Sequence, residues 1–186
     1  MKKITIAFAF LLLSSIGTAQ QSQIFKTTES FAVSVSGTSS LHDWECTVDT
    51  FSGQIAVIQD ENELQNITAF SFSFKSENLK SGKSGMDKKM YDAIHSEKHP
   101  TISFKGKKVT LVSGKNAVFE GDFSINGTTK SLQMPVEINI ENGSISLIGK
   151  KDILLTDFDI EPPKALLGTI KTGNEVTIHY NVTLSK

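Results

Sequence analysis

Beyond residue 30 the chain alternates apolar and polar positions with a period of two along almost its whole length. Phe70, Phe72 and Phe74 are separated by Ser71 and Ser73, and Phe119, Gly121, Phe123 and Ile125 interleave with Glu120, Asp122 and Ser124. Leu132, Met134, Val136, Ile138 and Ile140 continue the pattern, as do Val176, Ile178, Tyr180, Val182 and Leu184. Successive side chains of a strand point to opposite faces, so each segment is predicted to be a strand with one apolar and one polar side. Such strands belong to antiparallel sheets solvated on one face. Shorter stretches repeat the signal at Phe31–Val35, Trp44–Val48, Ile55 and Val57, Ile102 and Phe104, Val109 and Leu111, and Ile145 and Leu147.

The punctuation agrees. Asn126-Gly127 and Asn142-Gly143 each separate two alternating runs, and Asn-Gly suits the type I′ hairpin because both central residues need positive φ. Pro135 interrupts one run; lacking an N–H, it is expected at a bulge or on the unpaired side of an edge. One segment breaks the period. Met86, Met90 and Ile94 are spaced i, i+4, i+8 between Gly85 and Pro100, with Ser84 three residues before Asp87. That spacing predicts one short amphipathic helix covering segment 85–99, capped weakly at Ser84, with its stripe against the sheet or over an opening. A second irregular stretch, 157–172, holds Pro162-Pro163, Leu166, Leu167 and Gly168; its leucines are expected to fold back onto the rim. The class is all-β. Pattern alone leaves a closed barrel and a two-sheet sandwich open, although the usual core cysteine pair of an immunoglobulin-like sandwich is missing.

The first residues do not belong to this pattern. Lys2 and Lys3 precede an apolar run from Ile4 to Ile16, and Gly17-Thr18-Ala19 places small residues at a cleavage site. This is the arrangement of a secretory signal peptide, expected over 1–19, with a single domain over 20–186 and no membrane span after cleavage. The chain has 186 residues and a formal charge of −1, without a basic cluster, so nothing marks it for nucleic acid. The single Cys46 cannot form an internal disulfide; a buried thiol is the expected reading, with an intermolecular bridge or a homodimer left open.

Candidate chemistry is thin. His42 adjoins Asp43, but neighbouring strand residues face opposite ways, so a shared site would require a turn there. His95 and His99 are four apart, yet Pro100 disfavours helix at His99 and no third metal ligand stands in register. His179 falls on a polar face and is expected to be exposed. Twelve phenylalanines against one tryptophan and two tyrosines weight the inward faces toward aromatic rings. An eight-stranded barrel either fills its interior with side chains or keeps a cavity for one small ligand, and periodicity does not choose between them.

Four blocks in order carry a resemblance. Met86-Asp87-Lys88-Lys89-Met90-Tyr91-Asp92-Ala93-Ile94, running into Lys98-His99-Pro100-Thr101-Ile102-Ser103-Phe104, looks like a helix followed by a Pro-Thr-Ile-x-Phe strand. Phe119 to Lys130 looks like a Gly-x-Leu-x-Ile-x-Gly-x-Thr-Lys hairpin, Asp157-Phe158-Asp159-Ile160 like Asp-Phe-Gly-Ile, and Gly173-Asn174-Glu175-Val176 like Gly-Asp-x-Val. Together they resemble the YceI-like family of lipocalin-like periplasmic proteins associated with polyisoprenoid binding. Departures are Gly85-Met86-Asp87 where the family carries Arg-Asp, the lack of arginine in Leu154-Leu155-Thr156, and Asp159 in place of glycine. The Ser39–Trp44 segment suggests a subgroup.

The resemblance implies an extended eight-stranded antiparallel barrel that encloses a hydrophobic tunnel for an isoprenoid or other amphiphilic lipid outside the cytoplasm. It implies a non-enzyme whose partner is a hydrophobic small molecule or lipid, with no cofactor beyond a bound polyisoprenoid or quinone-like lipid. The expected ligand-binding side chains are Trp44, Phe70, Phe72, Phe74, Phe104, Phe119, Phe123, Met134 and Tyr180, with Met86, Met90, Leu166 and Leu167 at the rim. The alternatives are a non-enzymatic interaction or stress-response protein that uses the same barrel with a packed core, and an enzyme built on His42.

Overall fold

The computed structural model describes residues 22–60, 63–165 and 168–186. The alternating segments become β1 (Gln23–Ser39), β2 (Trp44–Val48), β3 (Ser52–Asp60), β4 (Glu63–Lys75) and β5 (Leu79–Lys80) before the helix. After α1 (Ser84–Ala93) come β6 (Thr101–Ser113), β7 (Asn116–Ile125), β8 (Thr128–Glu141), β9 (Ser144–Leu154), β10 (Lys164–Ala165) and β11 (Ile170–Ser185). Single-turn 3₁₀ segments lie at Ser76–Asn78 and Leu155–Phe158.

Eight strands close on themselves in the order β1-β3-β4-β6-β7-β8-β9-β11, with β11 returning to pair antiparallel with β1. The fold is therefore a closed, lipocalin-like antiparallel barrel rather than a sandwich. The short strands extend the wall. β1 pairs with β3 through Gln23–Lys26 and with β2 through Ser34–Gly37, so β2 and β3 act as one strand interrupted at 49–51. In the same way β5 continues β4 past the first 3₁₀ turn and pairs with β2.

Local chemistry sets this geometry. Asn126-Gly127 and Asn142-Gly143 have φ of 54° and 74°, and 50° and 76°, the left-handed pairs a type I′ turn requires. On β4, Thr68 and Gln65 are extra residues without a partner on β3. These two bulges shift the inward parity from Phe70, Phe72 and Phe74 to Ile67 and then to Leu64, which bends the strand around the barrel. Pro135 lies where β8 leaves β9: the ladder between them holds only Glu137–Glu141 against Ser144–Ile148.

The helix departs from the sequence reading at both ends. It stops at Ala93 rather than 99, because His95 adopts φ 46°. The N–H of Ser96 then reaches the Tyr91 carbonyl at 3.0 Å and that of His95 reaches Asp92 at 3.3 Å, a Schellman ending with histidine in the position glycine usually takes. At the other end Ser84 is not the cap. Lys83 precedes the helix without a side-chain cap bond, and Asp87 instead accepts hydrogen bonds from the Ser81 N–H and hydroxyl at 2.7 and 2.6 Å.

Candidate functional site

The barrel interior is packed at one end and hollow at the other. Phe25, Ile55, Val57, Phe119, Ile145 and Leu184 are all but inaccessible and fill the closed end. Above them the interior opens into a cavity of about 440 Å³ that continues into a smaller chamber of about 90 Å³. Val33, Phe74, Ile102, Phe123 and Ile178 line both, so they form the waist. The larger volume is within the range of cavities that hold small molecules.

Hollowness has a cause in the sequence. Several inward positions are glycines, and an aromatic ring from a neighbouring strand occupies the space that a side chain there would fill. A Cβ on Gly37 would stand 2.5 Å from Trp44 Cζ2, one on Gly149 would stand 2.6 Å from Tyr180 Cε2, and one on Gly53 would collide with the Phe72 ring. In the ladders, Gly37 faces Trp44, Gly53 faces Phe72 and Gly149 faces Tyr180. A ring laid against the wall spends its area on the strand beside it and leaves the axis of the barrel empty.

The opening between β8 and β9 is sealed from two sides. Tyr180 crosses Gly149 and donates its hydroxyl proton to the Pro135 carbonyl. The 3₁₀ turn Leu155–Phe158 then inserts Phe158, whose ring meets Phe123 edge-on at 5.4 Å and 81°; Ile160 is buried beside it. Asn126 Nδ2 donates to the carbonyls of Phe158 and Asp159 at 3.1 Å each, and Thr128 Oγ1 donates to Asp159 Oδ2 at 2.7 Å. Asp159, where the family pattern has glycine, sits at φ 55°, a conformation that aspartate tolerates better than most side chains.

Helix α1 roofs the large chamber with Met86, Met90 and Ala93, followed by Ile94. The exposed lining residues mark the mouth: Leu41 and His42 from the β1–β2 loop, Lys83, Gly85 and Lys89 from the helix side, and Lys164. Of the sequence-predicted residues, Trp44, Phe74, Met86, Met90 and Phe123 line the large chamber. Phe72, Phe104, Phe119, Met134 and Tyr180 line the small one, together with Phe74 and Phe123. Phe70 lines neither. It packs on Phe119 at 4.8 Å and Phe104 at 5.2 Å and covers Gly106, where β4 and β6 part below Ser71 and Lys105. Leu166 and Leu167, like segment 1–19, lie outside the described residues.

Val35, Leu79 and Ile153 also line the large chamber and escaped the sequence reading. The parity of Phe31 and Val33 could have found Val35; the cationic lining had no signal.

His42 lies at the mouth, and the other three histidines stand outside the lining of both chambers. The Ser39 hydroxyl donates to the His42 carbonyl and accepts from the Leu41 and His42 N–H groups, which makes this a turn. The His42 ring then bonds the Asp43 backbone oxygen at 2.7 Å and not its carboxylate. His95 Nδ1 lies 2.7 Å from Asn126 Oδ1; because Asn126 Nδ2 donates to two carbonyls, Oδ1 is the acceptor and His95 carries the proton. His99 stands against Gly127. His179 is half-buried rather than exposed and pairs with the Ser36 hydroxyl at 2.9 Å. No three His, Cys, Asp or Glu side chains among the described residues are grouped to hold a metal. Cys46 is fully buried, and desolvation, with smaller contributions from Asp87 and Glu45, pushes its pKa up to about 11. An intermolecular bridge through it is closed off in the folded state.

The sequence matches the family model of the YceI-like domain over residues 18–184, and no curated protein matches it. Its fold is similar to that of Burkholderia cenocepacia BcnA, with a TM-score of 0.71 at 15% identity over 82% of this chain and 95% of the other. It is also similar to a polyisoprenoid binding domain from Saccharophagus degradans implicated in plant cell wall breakdown (TM-score 0.67, 10% identity, 89% and 99% covered). A Campylobacter jejuni YCEI protein matches with a TM-score of 0.64 at 15% identity, over 76% and 84% of the two chains.

Proposed function

Because this chain belongs to the YceI-like domain family, we propose that it binds, sequesters or carries an isoprenoid or other single-tailed lipid outside the cytoplasm, and that it does so without catalysis. The observation that carries this reading is the two-chamber apolar cavity, open at one end and floored by packed phenylalanines. A hydrocarbon tail needs apolar surface and no specific polar partner. Each buried CH₂ contributes about 0.8 kcal/mol, so enclosing on the order of ten carbons supplies roughly 8 kcal/mol, a micromolar-scale affinity before the costs of association. One structural relative is described as polyisoprenoid-binding, which favours a branched prenyl tail over a straight one. The extracytoplasmic setting rests on Lys2-Lys3, the Ile4–Ile16 run and Gly17-Thr18-Ala19; among the described residues no helix is long and apolar enough to cross a membrane.

The test is native mass spectrometry of the mature protein, purified from its own compartment, followed by solvent extraction. The expected result is a polypeptide that begins at Gln20 and carries a discrete extra mass, which leaves with organic solvent and analyses as a prenyl lipid. A bare polypeptide that also fails to take up added geranylgeraniol would overturn the reading.

A further inference from the structure

Two of the chain's four methionines form the underside of the lid. Met86 and Met90 stand one turn apart on α1, half-buried, and line the large chamber. A neighbouring face of the helix carries its polar tethers. Asp87 accepts from the Ser81 N–H and hydroxyl, and the Tyr91 hydroxyl reaches the carbonyls of Leu79 and Glu77 at 2.8 and 3.0 Å. None of these contacts involves a thioether, so chemistry at sulfur changes the roof without cutting them. Below the two methionines the wall is Val33, Phe74, Ile102, Phe123 and Ile178, whose side chains offer no hydrogen-bond donor. Of the other sulfur atoms described, both are sheltered. Met134 is 7% exposed and lines the small chamber, and Cys46 is fully buried, its thiol held protonated at neutral pH by desolvation.

We propose, resting on the reading that the cavity holds a lipid tail, that Met86 and Met90 are a reversible oxidation site through which a peroxide loosens the hold on that tail. The sulfur lone pair attacks one peroxide oxygen. An S–O bond forms as the O–O bond breaks, and the sulfur loses two electrons. The departing hydroxide takes the proton left on the transferred oxygen and leaves as water. Thioethers react according to their exposure, which favours the two lid positions over Met134. Oxidation turns a flexible apolar side chain into a polar one. The new oxygen finds no donor on the wall below, so the side chain turns to the water at the mouth and takes its apolar area with it. Two thiols of a sulfoxide reductase then remove the oxygen as water, become a disulfide and restore the thioether and the roof.

The experiment treats the full mature protein with hydrogen peroxide, locates the added oxygen by peptide mapping, and measures geranylgeraniol binding before and after. Met86 and Met90 are expected to react at least about tenfold faster than Met134. The doubly oxidised protein is expected to bind the lipid about tenfold more weakly, the scale of one polar group set in an apolar wall. Full reduction by sulfoxide reductases acting on both epimers should restore the affinity. In the Met86→Leu/Met90→Leu variant the affinity after peroxide should equal that variant's own starting value, whatever that value is. Amides of β1 and β3 around Phe25 and Ile55 should keep their exchange protection in the oxidised wild type. Equal reaction of Met134, undiminished binding by the doubly oxidised protein, the same loss in the leucine variant, or no recovery after complete reduction would each overturn the switch while leaving the lipid-binding reading intact. Loss of protection at the closed end would overturn it in favour of general unfolding. If the untreated protein binds no geranylgeraniol, the lipid reading itself falls and the switch falls with it.

Discussion

Small residues keep this barrel hollow, and the effect can be tested one methyl at a time. Tyr180 occupies the inward face of β11, yet its ring does not stand into the lumen because Gly149 lets it lie across β9 and reach the Pro135 carbonyl. A methyl at position 149 would meet both the ring and that carbonyl. The Gly149→Ala variant is expected to lose about 1–3 kcal/mol, as overpacked sites do, and to push the ring toward the small chamber. Thermal melting would report the first effect and weaker uptake of geranylgeraniol the second; unchanged values for both would mean that the ring has another resting place. Cys46 makes a different residue-scale prediction. Desolvation comes first among the causes that raise its pKa from 9.0 to about 11, so the native state holds a proton that the unfolded chain releases earlier. Its contribution is fully present below pH 9 and is lost as pH rises from 9 to 11, up to about 2–3 kcal/mol. Burial raises the Tyr180 pKa as well, which adds a loss in the same direction at higher pH. Urea midpoints measured from pH 8 to 11 should fall more steeply for the wild type than for Cys46→Ala. Parallel curves would mean that the thiol is not desolvated. Native Cys46 should also resist thiol reagents at pH 7.

At the level of elements, the Asn-Gly hairpins, the long alternating strands and the existence of one helix were legible in the sequence, because each is a local consequence of backbone preference and period. What stayed hidden depends on partners distant in sequence. The bulges at Thr68 and Gln65 show only when β3 is laid beside β4, and the parting of β8 from β9 is signalled by a single proline. The apparent continuation of the helix to 99 failed because His95 takes a left-handed backbone that stabilises little by itself and is held by what its ring reaches. That ring bonds Asn126, whose amide in turn holds the carbonyls of Phe158 and Asp159. One chain of hydrogen bonds therefore ties the end of the lid helix, the β7–β8 turn and the plug between β8 and β9. Two substitutions separate backbone from side chain. His95→Gly keeps the left-handed turn without strain but removes the ring, whereas His95→Val loses the ring and strains the turn. The valine variant is expected to be the less stable by about 1–2 kcal/mol, and both should loosen α1 in amide exchange. Equal stability of the two would show that φ at residue 95 does not limit the lid.

For the whole molecule, the distribution of packing along the barrel axis matters more than its total. The closed end is filled by Phe25, Phe119, Ile145 and Leu184, whereas the open end has a helix with no fully buried residue of its own. Sequence alone could not place that boundary. The same inward parity produces Phe119 in the floor and Phe123 at the waist, and which of them meets a partner across the lumen depends on strands tens of residues away. Phe70 stands outside the lining of both chambers for this reason: its face is inward, but where β4 parts from β6 its ring lies over Gly106. Local stability follows buried contacts, so opening should be graded along the axis. Amides of β1 and β3 around Phe25 and Ile55 should exchange only on global unfolding, while those of α1 and residues 94–99 should exchange through a cheaper local opening. A ligand seated in the large chamber stabilises only states in which the lid is closed over it. Saturating geranylgeraniol is therefore expected to slow exchange in α1 and in the Leu41–Asp43 loop by at least about tenfold, with a much smaller change at the closed end under conditions where that end exchanges by global unfolding already slower than the labelling time. Hydrogen exchange read by mass spectrometry, with and without the lipid, resolves these segments. Protection spread evenly over the barrel would mean that the helix opens only when the whole wall opens, and entry would then have to be sought at the divergence of β8 and β9.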